Sequence, residues 1–330
     1  MKTNHPFVAL ILILAFVVLA CNIPGVTVKP ENTPVPVSFT DTPANSASAT
    51  PMESPTETAI PSPTVEPPTP TIFVAHSLVP STEVRKGNLV YDVKSVDTAA
   101  ENRAPYGDSY SINLFERPFM QDMTYVADLD IVSYNLNMDE KFYYVSIELV
   151  GSNPNNDIGI QYAVELDLEG DGFGDYIIVA RPPYNAEWST ETVQVVQDTN
   201  HDTGGLSAEK SDAPLPGDGY DKIIFDGGRG PDDDPDLAWV RINAGKYATV
   251  QFAFKRWLAE NKFMYGVLAD AGLKSIADLD YVDRFTEEQA GSPVRSDPFY
   301  PLKALFGIDH VCREVQGFTG TGDEPQRCIK

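Results

Sequence analysis

Apolar and polar residues alternate with a period of two along most of the stretch from Leu129 to Ala269, and this alternation constrains the fold more than any other feature of the chain. Successive side chains of a strand point to opposite faces, so each such segment has one face to bury against a second layer. β-Branched and aromatic residues mark strands at 129–136, 142–149, 160–167, 175–181 and 192–198, followed by 237–243, 248–255 and 263–269, with 89–93 as an early edge strand. Turn residues separate all of them. This pattern predicts a mainly β fold, an antiparallel β-sandwich forming a single domain over residues 80–330. Helical spacing appears only near the C-terminus, at 274–285 and 301–306, where Leu302, Leu305 and Phe306 share a face suited to capping the sandwich.

Upstream the composition changes. Between Lys29 and Arg85 there is no Lys or Arg, and Pro, Thr, Ser, Val and Ala recur with scattered Glu. Such a segment cannot bury a core, and its proline runs favour polyproline II, so residues 21–79 read as a disordered linker in which the stalk from Gly25 to Val79 spans up to roughly 170 Å at about 3.1 Å per residue.

Ahead of the stalk, Lys2 precedes an uncharged apolar run from Phe7 to Ala20 that is too short to cross a bilayer comfortably. The run ends in Val18-Leu19-Ala20-Cys21, which resembles the lipobox of bacterial lipoproteins, with Val18 where leucine is commoner. The resemblance implies a signal peptide over 1–20, cleavage before Cys21, lipid on the Cys21 thiol, and a domain held to a membrane at the cell surface or in the periplasm. The chain has three cysteines. With one lipidated, Cys312 and Cys328 are left as a pair, and in an oxidising compartment they are expected to form a disulfide. A two-cysteine metal half-site with His310 is the competing reading.

At Asp139-Glu-Lys-Phe142-Tyr-Tyr-Val145, running into Ser146-Ile-Glu-Leu149, an acidic turn precedes an aromatic strand. Over residues 128–181 this resembles the DOMON and family 9 carbohydrate-binding superfamily of extracellular sandwiches. The resemblance implies a fold only. No haem ligand pair carries over, because Met120, Met123 and Met138 have no recognisable histidine partner.

Two acidic stretches carry the most specific chemistry. In the first, Asp167, Glu169, Asp171 and Asp175 place oxygens at alternating positions with Gly172 at the sharp turn, resembling the first nine positions of an EF-hand-type calcium loop; the twelfth position is Ile178. In the second, Asp198, Asn200 and Asp202 repeat the alternation and Glu209 stands at the twelfth position, with Thr203 in place of the glycine. Calcium is the cofactor these loops predict. The alternative is plain turn chemistry, which favours the same residues.

The formal charge of −24 excludes nucleic acid as a partner, since no basic stripe offsets it. Metalloprotease, nucleophile-elbow and phosphate-loop motifs are absent from the sequence. After Arg181-Pro-Pro183, Tyr184 and Trp188 read as a stiffened aromatic edge able to stack on sugar rings, or else as plugs of the sandwich end. Trp239 and Trp257 read as core. The sequence therefore predicts a surface lipoprotein displaying a calcium-stabilised binding or adhesion module for carbohydrate, with a polysaccharide or a surface protein as partner. A structural envelope protein without a small ligand and a carboxylate-dependent glycoside hydrolase are the alternatives.

Overall fold

A computed structural model describes residues 74–101, 125–154, 159–204, 217–272, 275–277 and 308–328. The period-two segments form two antiparallel sheets packed as a β-sandwich. One sheet has the order β1-β2-β3-β9-β8, built from β1 Val90–Tyr91, β2 Ile131–Met138, β3 Phe142–Leu149, β9 Thr249–Lys255 and β8 Ala238–Asn243. The other has the order β11-β10-β4-β5-β6-β7, built from β11 Ile308–His310, β10 Phe263–Asp270, β4 Gln161–Asp167, β5 Tyr176–Ala180, β6 Val193–Gln197 and β7 Lys222–Asp226. β12, Glu314–Gln316, shares the β10 edge with β11.

Every predicted strand is present. β7, β11 and β12 are additional: Ile223-Ile224-Phe225 sits among acidic residues without alternation, and the other two strands are only three residues long. Among the described residues helix is confined to short 3-10 turns. The expected helices at 274–285 and 301–306 lie outside the described residues, apart from Ser275–Ala277, which form a turn.

The core follows the alternation. From β3, Tyr143, Val145, Ile147 and Leu149 point inward, from β9 Val250, Phe252 and Phe254, and from β4 Tyr162, Val164 and Leu166. Burying one such side chain stabilises the fold by roughly 1.5–3 kcal/mol before the cost of ordering it. The outward faces are buried as well. On the five-stranded sheet, Phe142, Tyr144, Trp239 and Ala253 form a second apolar cluster covered by Leu78, Val84 and Trp188. The segment 74–87 therefore lies on the domain as a strap whose first six residues, 74–79, fall within the stalk that composition suggests.

Beside β10, Cys312 and Cys328 form a disulfide, as expected. The backbone amide of Cys328 donates to Arg313 O and that of Arg313 to Gln326 O, so the bridge and these bonds hold the C-terminal segment to the sheet edge.

Candidate functional site

The two acidic loops leave the same end of the second sheet. In the first, Asp167 is fully buried at the end of β4, where its Oδ1 accepts the amides of Gly170 (2.6 Å) and Asp171 (3.3 Å) and its Oδ2 that of Gly172 (2.9 Å). Gly172 supplies the left-handed turn, with φ +99°. The charge is met from far along the chain: Arg313, also fully buried, reaches Asp167 Oδ2 at 2.9 Å and Glu165 Oε1 at 2.6 Å. Burial raises the Asp167 carboxyl, and Arg313 with the glycine amides opposes that rise. Asp175 is pushed up to about 7 by burial and by its neighbours Glu169 and Asp167, although the Leu168 amide holds its Oδ2 at 2.6 Å.

In the second loop Asp198 accepts four amides, from Asn200 (3.1 Å), His201 (2.7 Å), Asp202 (2.8 Å) and Thr203 (2.7 Å). Asp202 accepts those of Asp218 and Gly219, and the Asn200 side chain donates to Asp218. Glu209 lies outside the described residues. The loops meet through His201, whose Nε2 is 2.9 Å from Asp171 and whose ring is 5.1 Å from that of Phe173. That bond to Asp171 raises the His201 imidazole, and although burial disfavours the Asp171 carboxylate, the same bond and the Phe173 amide hold it below its ordinary value. Sequence spacing identifies both loops but not their junction, which arises because β4, β5 and β6 are neighbours in the sheet. Among the described residues, no three His, Cys, Asp or Glu side chains converge as a metal-binding group.

The expected aromatic edge is not formed by Tyr184. Its ring packs 5.6 Å from Tyr162 in the core, its hydroxyl donates to Ala180 O and Ile160 O, and only 4% of its surface is exposed. Trp188 is half-buried on the outer face of the first sheet. Its Nε1 donates to Ser81 O (2.9 Å), and the Arg241 guanidinium lies 4.5 Å from its ring. It holds the strap. Trp257, by contrast, is 52% exposed, where sequence reads it as core. The alternation ends at Lys255, and a 3-10 turn over Arg256–Leu258 sends Leu258 inward and leaves the indole outside.

Arg256, immediately before Trp257, lines a cleft of about 760 Å³ between the strap and the β2–β3 hairpin. Glu83 and Arg85 of the strap face Met138, Glu140, Tyr144 and Arg256 across it. Its floor is fixed. Tyr144 donates to Asp139 Oδ2 (2.6 Å) and accepts the Ser81 amide, while Asp139 Oδ1 caps the hairpin by accepting the Lys141 and Phe142 amides at 2.7 Å each. Burial works against the Asp139 carboxylate, but the Tyr144 hydroxyl and those two amides outweigh it and hold its carboxyl below the usual range. Burial pushes the Tyr144 phenol up, and Asp139 adds to the rise. Arg256 is positioned by Asn261 (2.7 Å) and by the Tyr143 ring, 5.4 Å away. This volume falls in the range of small-ligand sites, and its walls offer charged, hydroxyl and amide groups. Compared with known proteins, the chain matches no family model, no curated protein and no solved structure.

Proposed function

We propose that the chain is an exported, lipid-anchored binding module that takes a carbohydrate in the cleft at the β2–β3 hairpin. The observation that carries this reading is the cleft itself: a cavity of about 760 Å³ with a hydrogen-bonded floor, one of whose lining residues, Arg256, immediately precedes the exposed Trp257 in the chain. Sugars combine hydroxyl edges with apolar ring faces, and such a site offers donors and acceptors for the first, with the Trp257 indole proposed for the second. Relative to the edge predicted from sequence, the stacking residue in this proposal is Trp257 in place of Tyr184 and Trp188.

Membrane attachment through Cys21 rests on the lipobox resemblance. Its test is Cys21→Ser in the native host: loss of fatty-acid labelling and release or stalling of the protein is expected, and unchanged labelling overturns it. Calcium belongs to the proposal because Asp175, pushed up to about 7 first by burial and then by repulsion from Glu169 and Asp167, stands among other carboxylates. A cation there would relieve that repulsion. If it binds, calcium at 100 times its dissociation constant stabilises by about 2.7 kcal/mol and chelator lowers the melting temperature accordingly. Identical melts with no metal by mass spectrometry leave the loops as hydrogen-bonded turns. The binding reading is tested on a glycan array with the purified domain. Retention of a defined polysaccharide class is expected, and an empty array with a folded protein contradicts it in favour of a structural envelope role.

A further inference from the structure

The strap contributes one wall of the cleft, yet it belongs to no sheet. Among the described residues, none of the hydrogen bonds between 74–87 and the domain is backbone to backbone. Its attachments are made through side chains. Asp236, fully buried, accepts the amides of Ser77 (2.9 Å) and Leu78 (2.8 Å) on Oδ2, along with the Ser77 hydroxyl, while His76 Nδ1 lies 2.8 Å from its Oδ1. The His76 ring also packs 4.4 Å from Trp239. Further along, Trp188 Nε1 and Arg241 Nη2 donate to the carbonyls of Ser81 and Thr82, and the Ser81 amide donates to Tyr144.

The downstream end is held differently. The Gly87 amide donates to Asn135 Oδ1 at 2.8 Å, and a Cβ at Gly87 would stand 1.9 Å from Leu136 O, so the backbone is pressed directly onto β2. The strap is thus pinned at Gly87 and clipped by polar side chains at its upstream end, where the chain continues toward Cys21. Releasing the upstream clip breaks no ladder bond of the sheet. It uncovers the outer cluster of Phe142, Tyr144 and Trp239 and removes the Glu83 and Arg85 side of the cleft.

We propose that residues 74–87 form a releasable wall, clipped at Asp236 and pivoting at Gly87, whose docking closes the cleft and whose release opens it. The wall function rests on the cleft being the ligand site, whereas the release of the strap does not. Docking and ligand binding are then linked, each strengthening the other.

The test is hydrogen exchange by mass spectrometry on the full chain, comparing wild type with His76→Ala, which removes only the exposed half of the clip, and with Asp236→Asn. Losing the charge-assisted bonds is expected to accelerate exchange at Leu78 and Ser81 about tenfold or more in Asp236→Asn, less in His76→Ala, with β3 and β9 unchanged. Unchanged exchange at Leu78 and Ser81 in both variants overturns the strap. So does equal acceleration through β3 and β9, which would make strap and sheet one cooperative unit. A second arm adds a soluble β-glucan or a xylan to wild type. Binding with slower exchange at Leu78 and Ser81 supports the wall, and binding without slowing overturns it. Binding of neither polysaccharide counts against the carbohydrate reading of the cleft, and the variants then decide the strap alone.

Discussion

The outward face of each sheet carries a buried apolar cluster, Phe142, Tyr144, Trp239 and Ala253 on the first and Ala163, Ile177, Val179, Val196 and Leu268 on the second. Among the described residues, only the second has buried ion pairs beside it. On the five-stranded sheet, Phe142, Tyr144, Trp239 and Ala253 are covered by Leu78, Val84 and Trp188, so the covering is apolar with polar clips along its edges. On the other sheet, at the end of β4, Glu165 and Asp167 face outward into a buried setting and are met by Arg313. An apolar covering can be lifted at a cost proportional to the area exposed. A buried ion pair tolerates no such partial loss, because removing one partner strands the other charge. The first face is therefore suited to a strap that comes and goes, and the second to a permanent seal at the root of the acidic loops.

This contrast breaks first at Arg313. Arg313→Ala should destabilise the fold by about 3–5 kcal/mol in urea unfolding, since Glu165 and Asp167 stay buried without their guanidinium. A loss under about 1 kcal/mol would mean that the backbone amides alone satisfy Asp167. Next in size is the neighbouring disulfide. Reduction of Cys312–Cys328, or the double Ser variant, should lower stability by about 3 kcal/mol in the chain-entropy model, read in the same unfolding experiment. On the apolar face the effect is smaller: Trp188→Ala, at a half-buried site, should cost about 1–2 kcal/mol and accelerate exchange at Ser81.

The acidic loops give the smallest and most specific effect, a slope with pH. The Asp175 carboxyl is raised to about 7, so the native state holds its proton more tightly than the unfolded chain, and this contribution to stability falls as pH rises through that range. His201 is raised as well, which adds stability below its ordinary value that is lost as pH climbs through the folded one. Asp171, held low, acts in the opposite sense only in the acid range below the ordinary carboxylate value. The melting temperature should therefore fall between about pH 5 and pH 8, and Asp175→Asn should flatten the slope. A wild-type melt that rises over that interval would contradict the loop electrostatics.

Much of this architecture is legible in the chain because strand pairing is written locally: 142–149 and its inward set Tyr143, Val145, Ile147 and Leu149 follow from alternation alone. What alternation misses is which outward faces are also buried and by what. Nothing near Asp236 signals that residues 76–78 will dock on it from about 160 positions away, and the proline-rich composition upstream hides a strap within an apparent stalk. Arg313 is similarly remote from Asp167. Tyr184 looks like a platform because two prolines precede it, yet the carbonyls of Ala180 and Ile160 satisfy its hydroxyl and draw the ring inside. Trp257 escapes the alternation because β9 ends at Lys255 and the 3-10 turn over Arg256–Leu258 decides which side chain turns inward.

In the proposed function Trp257 and the hairpin cleft, and not the Tyr184 and Trp188 loop, receive the ligand. The direct measurement is calorimetric titration of an array-selected glycan into wild type, Trp257→Ala and Glu140→Ala, with a thermal melt of each protein. Binding should weaken about tenfold or more in Trp257→Ala and measurably in Glu140→Ala while the melts stay unchanged, as expected when an exposed anchor residue is truncated. Full affinity in both variants would contradict the account and move the site elsewhere on the sandwich.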